Sequence, residues 1–223
     1  ERLRALAVYR KIMPPAIGEV AENLRASGRP FMAVGPGAKT FLEKHGAAGA
    51  VEKGAEEKLG LFIGCTINAD PRLQRVGLRL LDMLQKKGKK NVEIPGEQVC
   101  CGLPWMQLGQ KEEAQNLVER NVLAFEKRGI RRVVSLCPGC AMVMKKDWPG
   151  LFARKEKRAP LFQVHDLTEF LLELLLTEPE KMKPLGLKVT FHDPCHLGRG
   201  QGIYEAPREI LRRLPAVEMR EME

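Results

Sequence analysis

Arg132-Val133-Val134-Ser135-Leu136-Cys137-Pro138-Gly139-Cys140 is the stretch on which the fold of this chain turns. Its first half is short, apolar and β-branched, the composition of a buried strand. A cysteine follows at once, and Pro138-Gly139-Cys140 leads into a helix. The same order appears upstream. Leu61-Phe62-Ile63-Gly64 is a wholly apolar strand followed directly by Cys65, and Asn91-Val92-Glu93-Ile94 is a strand with Cys100-Cys101-Gly102 in the loop beyond it. Helical periodicity fills the intervals. Residues 70–86 have Asp70 as N-cap, Pro71 at the first position and Leu73, Val76, Leu80 and Leu84 facing inward, with Gly88 as the stop. Residues 111–128 turn Ala114, Leu117, Val118, Val122 and Phe125 inward, with Gly129 as C-cap. Strands alternating with helices predict an α/β fold with a parallel sheet, whose cysteines sit at the carboxyl ends of the strands. Loops at that edge converge and bind ligands. Cys65, Cys100, Cys101 and Cys137 are therefore expected to meet there, with Cys140 carried along by its turn.

The pattern continues downstream. Residues 162–164 form a short strand, and Asp166-Leu167-Thr168-Glu169 has the form of a capping box for a helix ending near Thr177. Residues 187–191 are a further strand, with His192-Asp193-Pro194-Cys195 after it, then a helix at 206–213 and a strand at 216–219. This repeats the order strand, cysteine, helix, strand of residues 60–94. Projecting the same interval places a second cysteine pair at about residue 225, so the second unit is expected to run past Glu223 before reaching it. At the other end, Leu3, Leu6, Tyr9 and Met13 form a helical stripe. Pro14-Pro15 interrupts it, and a second helix runs to Gly28, which reads as a linker or docking arm. Residues 31–34 read as a short strand or buried turn. Gly35-Pro36-Gly37-Ala38-Lys39-Thr40 fails as a phosphate loop, because Ala38 stands where a glycine must precede the lysine. His45 reads as surface.

With 44% hydrophobic residues the chain can bury a core, and no apolar run reaches the length of a membrane span. The N-terminus lacks the apolar centre and cleavage site of a signal peptide. A reducing, cytoplasmic setting is expected, where clustered cysteines are metal ligands or catalysts more often than disulfides. The net charge of +9 reads as solvated helix faces; nucleic acid is not an expected partner, since aromatics are only 5% and are not interleaved with the basic runs. Positive charge would also offset an anionic cofactor or attract an acidic partner.

Five thiolates at a sheet edge suit a soft metal centre. Structural zinc sites use paired Cys-x-x-Cys knuckles, and cubane clusters use four cysteines. Adjacent cysteines reach one metal awkwardly but can ligate neighbouring metals of one polynuclear cluster. The spacing therefore favours iron–sulfur, with zinc as the lesser alternative and a zinc-stabilised structural module as the corresponding function. Trp105 is expected to shield the site from water. His192 and His196 flank Cys195, where local loop structure or proton donation to a cluster are both open readings.

The order Cys65, Cys100-Cys101-Gly102, Cys137-Pro138-Gly139-Cys140 resembles the cysteine-rich CCG domain of the heterodisulfide reductase and glycolate oxidase iron–sulfur subunit family. Phe191-His192-Asp193-Pro194-Cys195-His196-Leu197-Gly198-Arg199 is similar to the opening of that family's second CCG domain. The resemblance covers residues 60–223. It implies a first CCG domain over 31–185 behind the 1–30 arm, and a truncated second one over 186–223. It also implies a noncubane 4Fe–4S cluster held by Cys65, Cys100, Cys101, Cys137 and Cys140, with Cys195 as first ligand of another. Many relatives carry a ferredoxin-like region with Cys-x-x-Cys-x-x-Cys runs, and none lies before residue 60 here. The implied function is an oxidoreductase component that reduces a disulfide, or an electron-transfer subunit of a flavin-linked 2-hydroxyacid oxidase. The implied partners are ferredoxin-like or flavoprotein subunits and a disulfide- or quinone-linked electron partner, with any membrane association peripheral and through a partner.

Overall fold

The computed structural model describes residues 2–10, 12, 14–30, 58–89, 91–177 and 182–222. Met13, the strand or turn expected at 31–34, the loop at 35–40 and His45 lie outside the described residues. Four strands, β1 (Leu59–Phe62), β2 (Val92–Glu93), β3 (Arg132–Ser135) and β4 (Gln163–Asp166), form one parallel sheet in the order β2-β1-β3-β4. The register is level: Leu59 pairs with Val92 and Arg132, Phe62 with Ser135, and Ser135 with Asp166. The carboxyl ends of β1, β3 and β4 therefore lie side by side.

The central strands are apolar on both faces because both faces are covered. Side chains alternate across a strand, so Phe62 and Val133 enter one core while Leu61 and Val134 enter the other. The first core is closed by α6 (Lys111–Glu126), α7 (Pro138–Lys146) and α8 (Trp148–Glu156), and the second by α4 (Pro71–Lys86) and α9 (Leu167–Thr177). Leu61, Phe62, Val133 and Val134 are wholly buried, each contributing roughly 1.5–3 kcal/mol. Short helices α3 (Cys65–Ala69) and α5 (Leu103–Gln107) follow β1 and the cysteine pair.

Local signals hold well. Asp70 caps α4, its Oδ1 accepting the Arg72 N–H at 2.9 Å. Asp166 and Glu169 form the reciprocal box: Thr168 N–H donates to Asp166 and Asp166 N–H to Glu169, each at 2.9 Å. The inward residues of α6 are those expected from its periodicity. On α4 the expected stripe is turned by a fraction of a turn. Leu80 and Leu84 are buried, but Leu73 and Val76 are exposed, and Gln74 and Gly77 face inward instead. Buried Gln74 donates its amide to Asn68 O at 2.8 Å, which matches a polar group on the inward face.

Ahead of the sheet lie α1 (Arg2–Tyr9) and α2 (Pro15–Ser27). Leu3 and Tyr9 on α1 are exposed, whereas Ala21 and Leu24 on α2 join the core that contains the cysteines. Gly28 ends α2 at φ 71°, and its carbonyl accepts the Cys100 N–H at 2.9 Å. At the other end, β5 (Leu187–Val189) and β6 (Val217–Met219) form a separate two-stranded parallel sheet, with α10 (Gly198–Gln201) and α11 (Glu205–Arg213) between them. α11 packs on α9, and α10 on α7.

Candidate metal centre

Cys65 begins α3 three residues past the end of β1, Cys100 and Cys101 lie between β2 and α5, Cys137 is the N-cap of α7, and Cys140 stands in the first turn of that helix. All six thiols are free. Cys100, Cys101 and Cys140 are buried, and Cys65 and Cys137 are half-buried. The sheet edge brings these five together. Cys65 lies within hydrogen-bonding reach of Cys100, Cys100 of Cys101, and Cys140 of both Cys101 and Cys137, to either of which its one S–H can turn. The close approach needs Gly64. It sits at φ 79°, a conformation that strains any other residue, and a Cβ there would lie in ordinary contact with Cys140 Sγ at 3.5 Å and Cys137 Cβ at 3.7 Å.

The contacts sort the thiols into two kinds. Cys101 is lowered to about 5, first by hydrogen bonds from the Cys100 and Cys140 thiols and then by the Leu103 N–H, against the cost of burial. Cys137 is lowered to about 6 by the Cys140 thiol and by the Cys140 and Gly139 N–H groups at the start of α7. Cys65, Cys100 and Cys140 are pushed up, because each donates to a neighbouring sulfur and is buried besides. The set is thus a largely buried, all-sulfur donor group in which hydrogen bonding, against the cost of burial, favours thiolates at Cys101 and Cys137, which fits a soft iron–sulfur centre. Among the described residues no three His, Cys, Asp or Glu side chains are grouped as a single metal ion would hold them. The sulfurs run as a chain of pairwise neighbours.

Two buried tryptophans share the core of the cysteine pair. Trp105 is buried in the same core as the cysteine pair, with the Arg25 guanidinium 5.1 Å from its ring centre. Trp148, which the sequence did not single out, donates its Nε1–H to Cys101 O at 3.0 Å and packs edge-on against Phe62. A tryptophan 47 residues from Cys101 carries no local sign of such a contact. A narrow crevice lined by Arg29, Gly64, Cys65, Asn68, Gln98 and Cys100 reaches the half-buried side of the group.

Cys195 is not part of this nest. It is exposed, as is His192. His196 does reach the first site: its Nδ1 stands 3.0 Å from where a Cβ on Gly139 would lie. Gln201 Nε2 donates to Pro138 O at 3.0 Å, so the loop after Cys195 rests on the Cys137–Cys140 turn. The Cys195 loop is pinned by Arg208, another residue missed in the sequence, which holds Asp193 at 2.7 and 2.9 Å and Glu221 at 2.9 and 3.1 Å.

The family model described as the cysteine-rich domain, CCG, matches residues 59–145 and 189–223. The chain belongs to the CCG cysteine-rich domain family. The first matched segment carries all five gathered cysteines, and the second carries Cys195. Among curated proteins, a subunit of the CoM/CoB fumarate reductase of Methanothermobacter marburgensis is 36% identical over 224 residues, covering 100% of this chain and 41% of that protein. The EtfAB:quinone oxidoreductase of Syntrophomonas wolfei is 30% identical over 95% of the chain and 29% of its own length. A subunit of the dihydromethanophenazine:CoB–CoM heterodisulfide reductase of Methanosarcina barkeri is 36% identical over 73% of the chain and 39% of its own length. The chain thus spans less than half the length of each of these relatives. No solved structure matches. No helix among the described residues is long and apolar enough to cross a membrane.

Proposed function

We propose that this chain is the CCG part of an iron–sulfur oxidoreductase subunit of heterodisulfide reductase type, in which Cys65, Cys100, Cys101, Cys137 and Cys140 hold a noncubane 4Fe–4S cluster. The observation that carries this reading is the meeting of five thiols, an adjacent pair among them, in one buried group at the carboxyl edge of a parallel sheet. Such a cluster, when bound, supplies one-electron transfer. The protein's own part is to hold and shield. The start of α7 presents N–H groups to Cys137, and the Cys101 carbonyl is held by Trp148. Trp105 and Trp148 keep water from the buried side. The crevice beside Cys65 and Cys100 leaves one side open. Reduction of a disulfide consumes two electrons and two protons, so a ferredoxin-like or flavoprotein partner must deliver electrons in two steps. Residues 31–185 are proposed as the first CCG domain behind the 1–30 arm. Residues 186–223 are proposed as the beginning of a second, with Cys195 as first ligand of its own cluster.

A second reading is an electron relay between a flavoprotein and a quinone. It is favoured by the EtfAB:quinone oxidoreductase relative, which aligns with 95% of the chain. Anaerobic purification followed by iron, sulfide and zinc analysis and EPR tests the common core. Stoichiometric zinc without iron overturns both readings in favour of a zinc-stabilised module. Re-oxidation of the reduced full-length protein by a heterodisulfide selects the first reading; inertness toward it, with re-oxidation by a quinone, selects the second.

A further inference from the structure

Two buried amides hold the chain where strand pairing gives out. β1 pairs with β2 only through Leu59–Val92 and Gly60–Glu93, and the chain then turns away at Pro95. On that side the Leu61 carbonyl and the Ile63 N–H lose their strand partners. Gln98 replaces them. Its Nε2 donates to Leu61 O at 2.7 Å and its Oε1 accepts the Ile63 N–H at 3.1 Å. Asn121, in the middle of α6 and wholly buried, does the same for the cysteine pair. Its Oδ1 accepts the Val99 N–H at 2.9 Å, and its Nδ2 donates to Val99 O at 3.3 Å and Cys100 O at 3.1 Å. A buried amide is retained only where its polar atoms are matched. Both of these spend their groups on backbone close to a cysteine in sequence.

We infer that Gln98 and Asn121 are positioning residues of the five-thiol site. Gln98 sets where β1 ends and so where Cys65 emerges relative to Cys100. Asn121 sets the Cys100 peptide, whose N–H is held from the other side by Gly28 O. Each role needs a donor and an acceptor on one planar group. A carboxylate of the same shape keeps the acceptor and loses the donor, setting an anionic oxygen against the carbonyls of Leu61, or of Val99 and Cys100.

The inference rests on the iron–sulfur reading above, and the test separates the two. Asn121→Asp, Gln98→Glu and the exposed control Gln85→Glu are purified anaerobically from the full-length protein, metal-free and after reconstitution with iron and sulfide. Circular dichroism and melting report the metal-free fold; iron content and the EPR spectrum report the site. The expected result is two folded variants whose metal affinity falls about tenfold or more, or whose EPR spectrum changes, beside a control that matches wild type. Wild-type iron content and spectrum in both variants would overturn the inference. So would loss of the metal-free fold in both, since the amides would then support the domain rather than place its cysteines. A wild-type protein that binds no iron would instead overturn the functional reading.

Discussion

Residues 59–93 and 187–219 are built on one plan with different outcomes. Each is a strand, a cysteine, a helix and a parallel partner strand: β1, Cys65, α4 and β2 in one, and β5, Cys195, α11 and β6 in the other. Cys65 ends half-buried against other sulfurs, while Cys195 is exposed. The difference lies beside the unit. β1 is flanked by β2 on one side and β3 on the other, and the loops after both carry cysteines to meet Cys65. β5 has only β6 beside it among the described residues. The unit therefore places one cysteine at a sheet edge, and neighbouring strands turn that cysteine into a site.

Removing one sulfur from the five-thiol group and one from the second unit puts this contrast to its hardest trial. Cys101→Ala should abolish or convert the cluster signal in EPR and lower the iron content, while Cys195→Ser should leave the five-cysteine signal as it was. Equal losses would mean that the two regions form one site. Next in size, Gly139→Ala places a Cβ 3.0 Å from His196 Nδ1 and 3.3 Å from Leu103 Cδ2. Overpacking of this kind costs about 1–3 kcal/mol. Gly150→Ala, inside α8 with nothing within 4 Å, should leave stability unchanged or raise it by up to about 1 kcal/mol. Denaturant unfolding of the metal-free protein measures both, and equal effects would argue that the Cys195 loop does not rest on the Cys137–Cys140 turn. Trp148→Phe keeps an aromatic ring in the core but orphans the Cys101 carbonyl, for an expected cost of about 1–2 kcal/mol by the same measurement.

A separate trial of the contrast is in pH. The depressed values of Cys137 and Cys101 contribute stability that is fully present above the ordinary thiol value of 9.0 and is lost as pH falls through about 6 and then about 5. The raised values of Cys65 and Cys100 act in the opposite sense: their contribution is complete below 9.0 and fades above it. The metal-free protein should thus be most stable near pH 9. Half-buried Cys137 should also be alkylated with a rate that climbs through about pH 6, followed by mass spectrometry of its peptide. A rate that climbs only near pH 9 would remove the thiolate from the start of α7.

Features decided by neighbours along the chain were legible before the fold was known. Asp70 and the Asp166–Glu169 box are local hydrogen bonds, and they form as read. The apolar runs before Cys65 and Cys137 could only be buried strands, and parallel strands deliver the loops beyond them to one edge. The inward face of α4 differs at its first turns, where Gln74 is buried and hydrogen-bonded to Asn68 O while Leu73 is exposed; periodicity does not register a polar partner of that kind.

Hydrophobic period and chain order were enough to specify the α/β alternation and the set of cysteines that would converge. Which sulfurs touch, which are thiolates and which side chains hold them were settled only once the chain had folded. Gln98, Asn121, Trp148 and Arg208 act on groups from elsewhere in the chain: the Leu61 and Ile63 backbone, Val99 and Cys100, Cys101, and Asp193. A hydrogen bond between distant residues leaves no period and no motif behind, because its geometry exists only after the sheet has set its strands in register.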